Sequence, residues 1–476
     1  MKSNTRIFSL GLACASFLAL GILTAGIGPA LADLAGNTGV SLAAVGGVFT
    51  ALFLGALVAQ GLAGSTMDRL GPRPVLLVGL VLVGLGTLGV TWAPWLWLAL
   101  ALAVVTGLGH GSVDVTSNVM VAELFPERRA AAVNLLNVFF GIGAFLGPVI
   151  AGLALDWWQT ALPALWLGGG LLILLALPMA AWAPRGHIAS QTGDTARPAV
   201  KGRNWLASPL LWGLGALILV YVGIENGVGG WTPLYLEQTV RLDAAKAALV
   251  TSGFWLALTA GRVMATLVGT RISAKALLAG SLGIALLGSL LLAAGQGSLV
   301  TSIAAILVLG FGFGPVFPTS LALTTASFPG SAGAAAGVVV ASGSLGGMLI
   351  PWIQGIILER IGPTGSLTLT VGATLAMLAL FFIYRRYANL RRVDNASAAA
   401  GPAGQSPSQT ESPTRAPGGE PPARIQPAGD AAAGFQYCVQ PVQPIQQIVR
   451  PAPAAHPGAH GRSGRTHWSP GQRALR

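Results

Sequence analysis

Residues 75–90 read VLLVGLVLVGLGTLGV and contain no charged side chain. Apolar and polar residues do not alternate here as they do in the strands of membrane β-barrels. Extended to 74–92, the run approaches the roughly 20 apolar residues with which an α-helix crosses a bilayer. This segment therefore predicts a transmembrane helix.

Similar apolar runs extend along most of the chain. Twelve are found, at about 7–31, 41–64, 74–92, 96–122, 130–155, 161–182, 207–236, 246–268, 275–294, 298–326, 332–358 and 365–385. Of all 476 residues, 53% are hydrophobic and only 9% are charged, whereas about 25% are charged in a typical soluble protein. We therefore predict an all-α integral membrane protein with twelve transmembrane helices.

The net charge and the cysteine content exclude several classes of function. The charge of +12 does not indicate a nucleic-acid partner, because the basic residues lie in short loops and in the C-terminal segment rather than along one stripe. Cys14 and Cys438 are too few for a disulfide framework or a cysteine metal site. We expect no cofactor, no metal and no catalytic residue. The expected partners are the lipid bilayer and a small solute, and a monomer should suffice for function.

Two polar segments divide the chain into domains. Residues 183–205 form a predicted cytoplasmic linker between a first six-helix bundle, 1–182, and a second one, 206–392. Residues 393–476 hold 13 of the 30 prolines and lack hydrophobic periodicity. Such a composition cannot bury a core, so it predicts a disordered cytoplasmic tail.

The distribution of Lys and Arg predicts the orientation in the membrane. If the N-terminus is cytoplasmic, sixteen basic residues flank the spans on the inner side. Only three, Arg241, Lys246 and Arg360, then lie on the outer side. This asymmetry predicts a multi-pass protein of the cytoplasmic (inner or plasma) membrane with both termini inside the cell.

The two halves of the chain repeat at an offset of 203 residues. The matching positions are mostly small residues and prolines: Gly107, Gly109, Gly111 and Pro148 match Gly310, Gly312, Gly314 and Pro351, and acidic Asp156 matches Glu359. Glycine lets helices approach closely, and proline kinks them. Both halves should therefore share one topology, related by an axis along the membrane normal, with a cavity between them.

The intramembrane charges do not follow this repeat. The charged residues and their apolar counterparts are Asp114 with Phe317, Glu225 with Ile22, and Arg262 with Ala59. Because an ionisable residue inside a bilayer is costly, it usually marks the path of a solute or an ion. The three charged residues are therefore candidate functional residues.

The fourth run places His110, Asp114 and Asn118 four residues apart, on one helix face. Asp114 is a candidate carrier of a coupling proton or sodium ion, or an acceptor for a sugar hydroxyl. Alternatively, it is a structural residue bonded to His110 or to a neighbouring helix. His110 and Asn118 are candidate solute ligands on the same face.

The fifth run places Asn134 and Asn137 on one stripe with Gly141. Two amides on one stripe can bind a hydroxyl-rich solute, and the glycine leaves space beside them. The alternative is that the amides join helices to one another.

The seventh run contains YVGIENGVGGW at 221–231. Glu225 is the second candidate for the coupling ion, and Asn226 beside it is a candidate solute ligand. Trp231 can stack on a sugar ring or anchor the helix at the membrane interface, and its position near the outer end favours the anchor. In the eighth run, Trp255 is a candidate solute contact. Arg262 can pair with an intramembrane acid or extend towards the membrane surface, and the second interpretation is favoured.

The loop at 64–73 reads GSTMDRLGPR. Its residues Gly64, Asp68, Arg69, Gly71 and Arg73 match the G-x-x-x-D-R-x-G-x-R signature of the major facilitator superfamily, which the chain resembles over about 7–385. The resemblance implies the major facilitator fold, with two pseudo-symmetric six-helix bundles. It also implies an inner-face latch in which Asp68 and Arg69 steady the outward-facing state.

Within this superfamily the chain most resembles the fucose-permease branch, which includes sodium-dependent glucose transporters. The likeness is found in DVTSN at 114–118, LNVFFGIGAFLGP at 136–148 and YVGIENGVGGW at 221–231. It implies Asp114 as the coupling carboxylate, Asn118 as its polar partner and Asn137 as a sugar contact. Fucose-type proton symporters have a second carboxylate in the first helix, where this chain reads GIGPAL at 26–31. That departure argues against fucose itself and against a two-carboxylate proton relay.

The sequence therefore predicts a secondary transporter that moves a small polar solute, a sugar, by alternating access with proton or sodium coupling. One alternative is an efflux pump for drugs or metabolites, which would need a larger and more aromatic cavity. Another is a transporter-like sensor that signals through its tail. An enzyme is disfavoured, because the chain contains neither a G-x-S-x-G nor an H-E-x-x-H motif.

Overall fold

The computed structural model describes residues 3–181 and 205–399. In these two stretches the chain folds into α-helices α1–α14, joined by short turns. Their bounds are Ser3–Thr38 (α1), Leu42–Val45 (α2), Gly47–Leu70 (α3), Pro72–Trp92 (α4), Leu96–Leu124 (α5), Arg129–Trp158 (α6), Leu162–Ala181 (α7), Pro209–Val240 (α8), Ala244–Val268 (α9), Ala274–Ala294 (α10), Leu299–Phe313 (α11), Val316–Ser327 (α12), Ala332–Arg360 (α13) and Pro363–Ala399 (α14).

Within the described residues, twelve spans are long and apolar enough to cross a membrane. The second span consists of α2 and α3, with a short irregularity at Gly46. The tenth consists of α11 and α12, interrupted at Gly314 and Pro315, because proline lacks the N–H of a regular helix. The prediction of twelve membrane helices is therefore confirmed.

The two predicted polar segments fall largely outside the described residues. Of the linker at 183–205, only Trp205 is described, and it begins a short 3₁₀ turn. Helix α14 continues to Ala399, past the boundary at 392 that we predicted for the second bundle. The alanines that follow Asn395 favour helix, which explains the longer α14. The rest of the predicted tail, 400–476, lies outside the described residues.

The helices pack in the same manner in a first half, α1–α7, and a second half, α8–α14. Helix α1 packs against α6 and α7, as α8 packs against α13 and α14. Helices α3 and α4 pack against α5, as α9 and α10 pack against α11. The halves meet where α3 contacts α13, where α6 contacts α9, and where α1 contacts α8. This is the pseudo-symmetric arrangement of two bundles that the repeat predicts.

The glycines of the repeat lie where helices approach most closely. A β-carbon at Gly107 of α5 would overlap the Leu52 carbonyl oxygen of α3, and one at its counterpart Gly310 would lie 2.5 Å from the Phe254 carbonyl oxygen. Gly143 of α6 meets the backbone of α1 in the same way. Backbone contact of this kind replaces the hydrophobic driving force that apolar lipid does not provide. Any larger side chain at these positions would force the helices apart.

Each half has its own apolar core, and the chain ends of both halves lie on one face. We call this the terminal face: α1 and α8 begin there, and α7 and α14 end there, since six spans separate the two starts. The opposite side is the far face. Two buried side chains of the second half, Trp231 and Leu358, belong to the core of the first half. They show that the halves interlock near the far face.

Candidate solute pathway between the two halves

Contacts between the halves close the far face. Where the second span runs along α13, the Ala43 N–H of α2 donates to Glu359 Oε2 at 2.8 Å, and the Thr50 hydroxyl of α3 donates to the Met348 carbonyl oxygen at 2.6 Å. The Phe53 ring lies directly against Gly347, so that a β-carbon there would overlap it. On α1 and α8, a β-carbon at Gly28 would lie 2.7 Å from the Gly230 carbonyl oxygen. The backbones of the two halves therefore touch on this side of the molecule.

The Trp231 side chain packs between the two halves near the far face. Its ring lies between Gly46, at the irregularity between α2 and α3, and Gly355 of α13, and only 2% of the residue is exposed. Its Nε1–H donates to the Pro351 carbonyl oxygen at 2.8 Å. The interpretation of Trp231 as an interfacial anchor is wrong, since the ring packs between helices that the sequence alone does not bring together. In this conformation the ring is also too buried to stack on a solute.

The halves separate midway through the molecule. In the described part of the chain, contacts between the halves extend as far as a hydrogen bond from Ser344 Oγ to Gln60 Oε1 at 3.1 Å and the packing of the Thr259 side chain against Gly141. Ser344 and Gly141 are related by the 203-residue repeat, so the two sides of the interface end at matching points. One turn further along α3, Gly64 has no atom near the position of a β-carbon.

Beyond these points, towards the terminal face, the stripes that carry the contacts are no longer covered by the other half, and from this we infer a cleft that opens towards the terminal face. Gly337, two turns from Ser344 on the same stripe of α13, faces open space. Asn134 and Asn137 lie on the stripe of α6 that carries Gly141, and both are exposed. The Asn137 amide donates to the carbonyl oxygen of Val133 at 3.1 Å, which leaves its own oxygen free to accept. We expected the space beside Gly141 to be empty, but the side chain of Thr259 from the other half occupies it.

The three candidate residues of α5 make two side-chain contacts, one within α5 and one with α1. Asn118 Nδ2 donates to Asp114 Oδ1 at 3.0 Å and to the Asp114 carbonyl oxygen at 2.9 Å. His110 Nε2 lies 3.4 Å from the hydroxyl of Thr24 on α1. In the described part of the chain, Asp114 has no ion-pair partner. It is a half-buried carboxylate held by one amide, and it is able to accept a cation.

The two intramembrane charges of the second half that we singled out, Glu225 and Arg262, form an ion pair. Arg262 Nη2 lies 3.3 Å from Glu225 Oε1, and the two side chains are 23% and 9% exposed. Arg262 therefore pairs with an intramembrane acid rather than extending towards the membrane surface, because α8 places Glu225 within its reach. The buried Tyr221 hydroxyl lies beside this pair without a well-formed hydrogen bond.

Two further candidates of the second half, Asn226 and Trp255, are already bonded to or packed against neighbouring groups. Asn226 donates to the Val222 carbonyl oxygen at 2.8 Å and is half-buried. Trp255 is 5% exposed, its ring lies against Gly229, and its Nε1 has no acceptor. In this conformation Trp255 is packed between helices and does not line the cleft.

The predicted inner-face latch is not engaged. Asp68 and Arg69 are exposed, and within the described residues neither has a hydrogen-bonding or ion-pair partner. Gly71 makes the turn between α3 and α4 with a φ of +79°, a conformation that favours glycine. Arg73 donates to the carbonyl oxygens of Met179 and Ala180 at 3.1 and 2.6 Å, which ties α4 to α7. An open latch agrees with a cleft that is open on the terminal face.

Several residues of the pathway were not among the sequence-based candidates. Thr24, Gln60 and Ser344 are polar residues within predominantly apolar spans, and that was a signal that we did not use. Glu359 was noted only as the counterpart of Asp156. Within the described residues, no group of His, Cys, Asp and Glu side chains is arranged to hold a metal ion.

The family model described as Major Facilitator Superfamily matches residues 12–329 and 236–426. The chain belongs to the major facilitator superfamily. It is 23% identical to a protein named sodium-dependent glucose transporter 1 from Danio rerio over 398 residues, which cover 73% of this chain and 64% of that protein. It therefore spans less than two thirds of that relative's length.

Solved structures share the fold. The nucleoside transporter NupG superposes with a TM-score of 0.67 at 13% identity, over 79% of this chain and 99% of that chain. The E. coli fucose:proton symporter FucP superposes with a TM-score of 0.55 at 18% identity, over 80% of this chain and 99% of that one. At these identities the likeness shows the architecture of two six-helix bundles.

Proposed function

We propose that the protein is a secondary transporter that moves a small polar solute, a sugar, across the cytoplasmic membrane by alternating access. The observation that supports this best is the cleft between the halves, closed on the far face and open on the terminal face. Its walls carry polar residues from helices that are otherwise apolar. Such a cleft holds a solute near the bilayer midplane and can open to either side in turn.

We further propose that the terminal face is cytoplasmic, so that this conformation is the inward-open one. The sixteen-to-three asymmetry of basic residues supports this orientation. It predicts that cysteines at positions 190 and 400 resist a membrane-impermeant thiol reagent in intact cells and react after lysis. Labelling of either position before lysis would contradict the proposed orientation.

A sugar is favoured as solute by the character of the exposed groups. Amides such as Asn137 present both donors and acceptors, which suit a solute rich in hydroxyl groups. The large aromatic rings of Trp231 and Trp255 are packed between helices, so neither ring is available to line a drug pocket in this conformation. The Danio rerio relative named sodium-dependent glucose transporter 1 is named for a sugar, which agrees with this choice.

For the coupling ion, the geometry favours Asp114 over Glu225. Within the described residues Asp114 lacks a cationic partner, whereas Glu225 is already neutralised by Arg262. A proton or a sodium ion would supply the missing positive charge at Asp114. A paired acid gains less from the same ion.

The decisive experiment is uptake of a panel of labelled sugars into proteoliposomes under an imposed proton gradient and then a sodium gradient. We expect one sugar to accumulate above its external concentration with one of the two ions. If no sugar moves but drug-like cations or metabolites are transported, the efflux-pump alternative replaces our proposal.

A further inference from the structure

One contact on the far face joins the halves through an ionised side chain. Glu359, near the end of α13, accepts a hydrogen bond at 2.8 Å from the backbone N–H of Ala43 at the start of the second span. The N–H groups of a first helical turn have no acceptor within their own helix. The Glu359 carboxylate therefore satisfies a donor of the opposite half, in a charge-assisted bond stronger than a neutral one.

This bond lies beside the apolar seal of the far face. Leu358, the neighbour of Glu359, is 2% exposed and belongs to the core of the first half, as Trp231 does. Opening the far face must therefore withdraw these two side chains and break the Glu359 bond in the same movement. The bond is placed to oppose that movement.

The 203-residue repeat places an equivalent pair of residues at a second contact between the halves, which we call the corner at Asp156. Residues 156 and 246 are the counterparts of 359 and 43. Asp156 lies near the end of α6, one turn from Gly152, where a β-carbon would lie 2.8 Å from the carbonyl oxygen of Ala245 on α9. This contact brings Asp156 to the start of α9, where Lys246 carries the opposite charge. Lys246, however, already makes an ion pair of 2.6 Å with Asp243. The corner at Asp156 is therefore the weaker of the two.

We propose that Glu359 and the Ala43 N–H form a clasp that holds the far face closed and stabilises the inward-open state, and that Asp156 is its weaker counterpart. The clasp rests on alternating access as proposed above but not on the identity of the solute. It acts on the side of the molecule opposite to the loop at Asp68 and Arg69. The two devices would therefore stabilise opposite states.

The test measures how often the far face opens. Cys14→Ala and Cys438→Ser remove the native thiols, and Leu358→Cys places a reporter that is buried only while the far face is closed. Cysteine is smaller than leucine, so the reporter does not push the halves apart. The rate of maleimide labelling in detergent micelles then follows the open fraction, and it needs neither a solute nor a known orientation.

The variants are compared in this common background. Glu359→Ala should raise the labelling rate about fivefold, because a solvent-accessible hydrogen bond to a charged group is lost. Glu359→Gln and Asp156→Asn should each raise it about twofold. Glu359→Gln replaces the charged acceptor by a neutral one, and Asp156→Asn removes only the weaker attraction. Labelling of Asn137→Cys, which is exposed on the open side, should stay unchanged.

Asp33→Asn is the matched control. Asp33 is a far-face acid that accepts hydrogen bonds from the Ala161 N–H at 2.6 Å and the Thr160 hydroxyl at 3.1 Å, both within the first half. Its loss should leave the labelling rate unchanged. The proposal is overturned if Glu359→Ala and Glu359→Gln both label at the wild-type rate, or if Asp33→Asn raises the rate as much as Glu359→Ala. If only Glu359→Ala fails to fold, Glu359→Gln alone decides.

Discussion

The two halves share one scaffold but hold their intramembrane charges in different ways. In the first half, Asp114 is held by the Asn118 amide and has no cationic partner among the described residues. In the second half, Glu225 lies against Arg262. An unpaired acid can take up and release a cation, whereas a paired acid is held by its partner. Duplication has preserved the packing positions and left the charges free to differ.

The largest expected effect follows from removing the unpaired acid. Asp114→Asn keeps the shape of the site but cannot bind a coupling cation. A potential of about 100 mV supplies about 2.3 kcal/mol per charge, enough for about fiftyfold accumulation. We expect accumulation in proteoliposomes to fall to simple equilibration, while solute exchange without a gradient continues. Accumulation at the wild-type level, with normal protein abundance, would exclude Asp114 as the coupling residue.

The paired acid should affect stability instead of coupling. Glu225→Gln leaves Arg262 charged and unpaired inside the helices, and breaking a buried pair costs about 3–5 kcal/mol. Because Arg262 is partly exposed, we expect a loss of about 1–3 kcal/mol, seen as a lower midpoint of thermal unfolding in detergent.

The matched double variant tests the reason for that loss. Glu225→Gln combined with Arg262→Met removes both charges and should recover most of the stability. Asp114→Asn should leave the unfolding midpoint near that of the wild type, since it breaks no ion pair. If the double variant is less stable than the single one, the pair does not act through its charges.

A smaller effect, on KM, should distinguish the amide of Asn137 in the first half from that of Asn226 in the second half. Asn137 is exposed to the cleft, and its Asn137→Ala variant should raise KM about three- to tenfold, the contribution of one or two hydrogen bonds. Asn226 is half-buried and bonded to its own helix, so Asn226→Ala should change KM by less than about twofold. The measurement is initial uptake rate against solute concentration, and equal shifts in both variants would contradict the different exposure.

The spans and several of their close-contact positions could be predicted from the sequence, because hydrophobic length and glycine positions act locally. The twelve apolar runs mark the twelve spans, and Gly107 and Gly310 lie where we expected helices to approach closely. The interface between the halves could not be predicted in this way. Which residue of α3 meets which residue of α13 depends on the angle between the bundles, and no periodicity in either helix encodes that angle.

Two side chains show the same limit. Trp231 is near the end of its span, and position alone favours an interfacial anchor; only the glycines at 46 and 355 create the slot that buries it. Arg262 is near the end of α9, and position alone favours extension towards the membrane surface, yet it pairs with Glu225 of α8. In both cases a neighbour from another helix decides the outcome, and that neighbour is distant in sequence.

Equilibrium binding tests the central claim, that the unpaired acid carries the coupling ion and the paired acid does not. Solute binding to purified protein is measured over a range of proton and then sodium concentrations. Because linkage is reciprocal, an ion that couples to the solute must change the solute's affinity. We predict that one ion raises the affinity in the wild type and in the Glu225→Gln/Arg262→Met variant, and that Asp114→Asn binds the solute equally at every ion concentration. Persistence of the ion effect in Asp114→Asn, or its loss in the Glu225→Gln/Arg262→Met variant alone, would contradict the assignment.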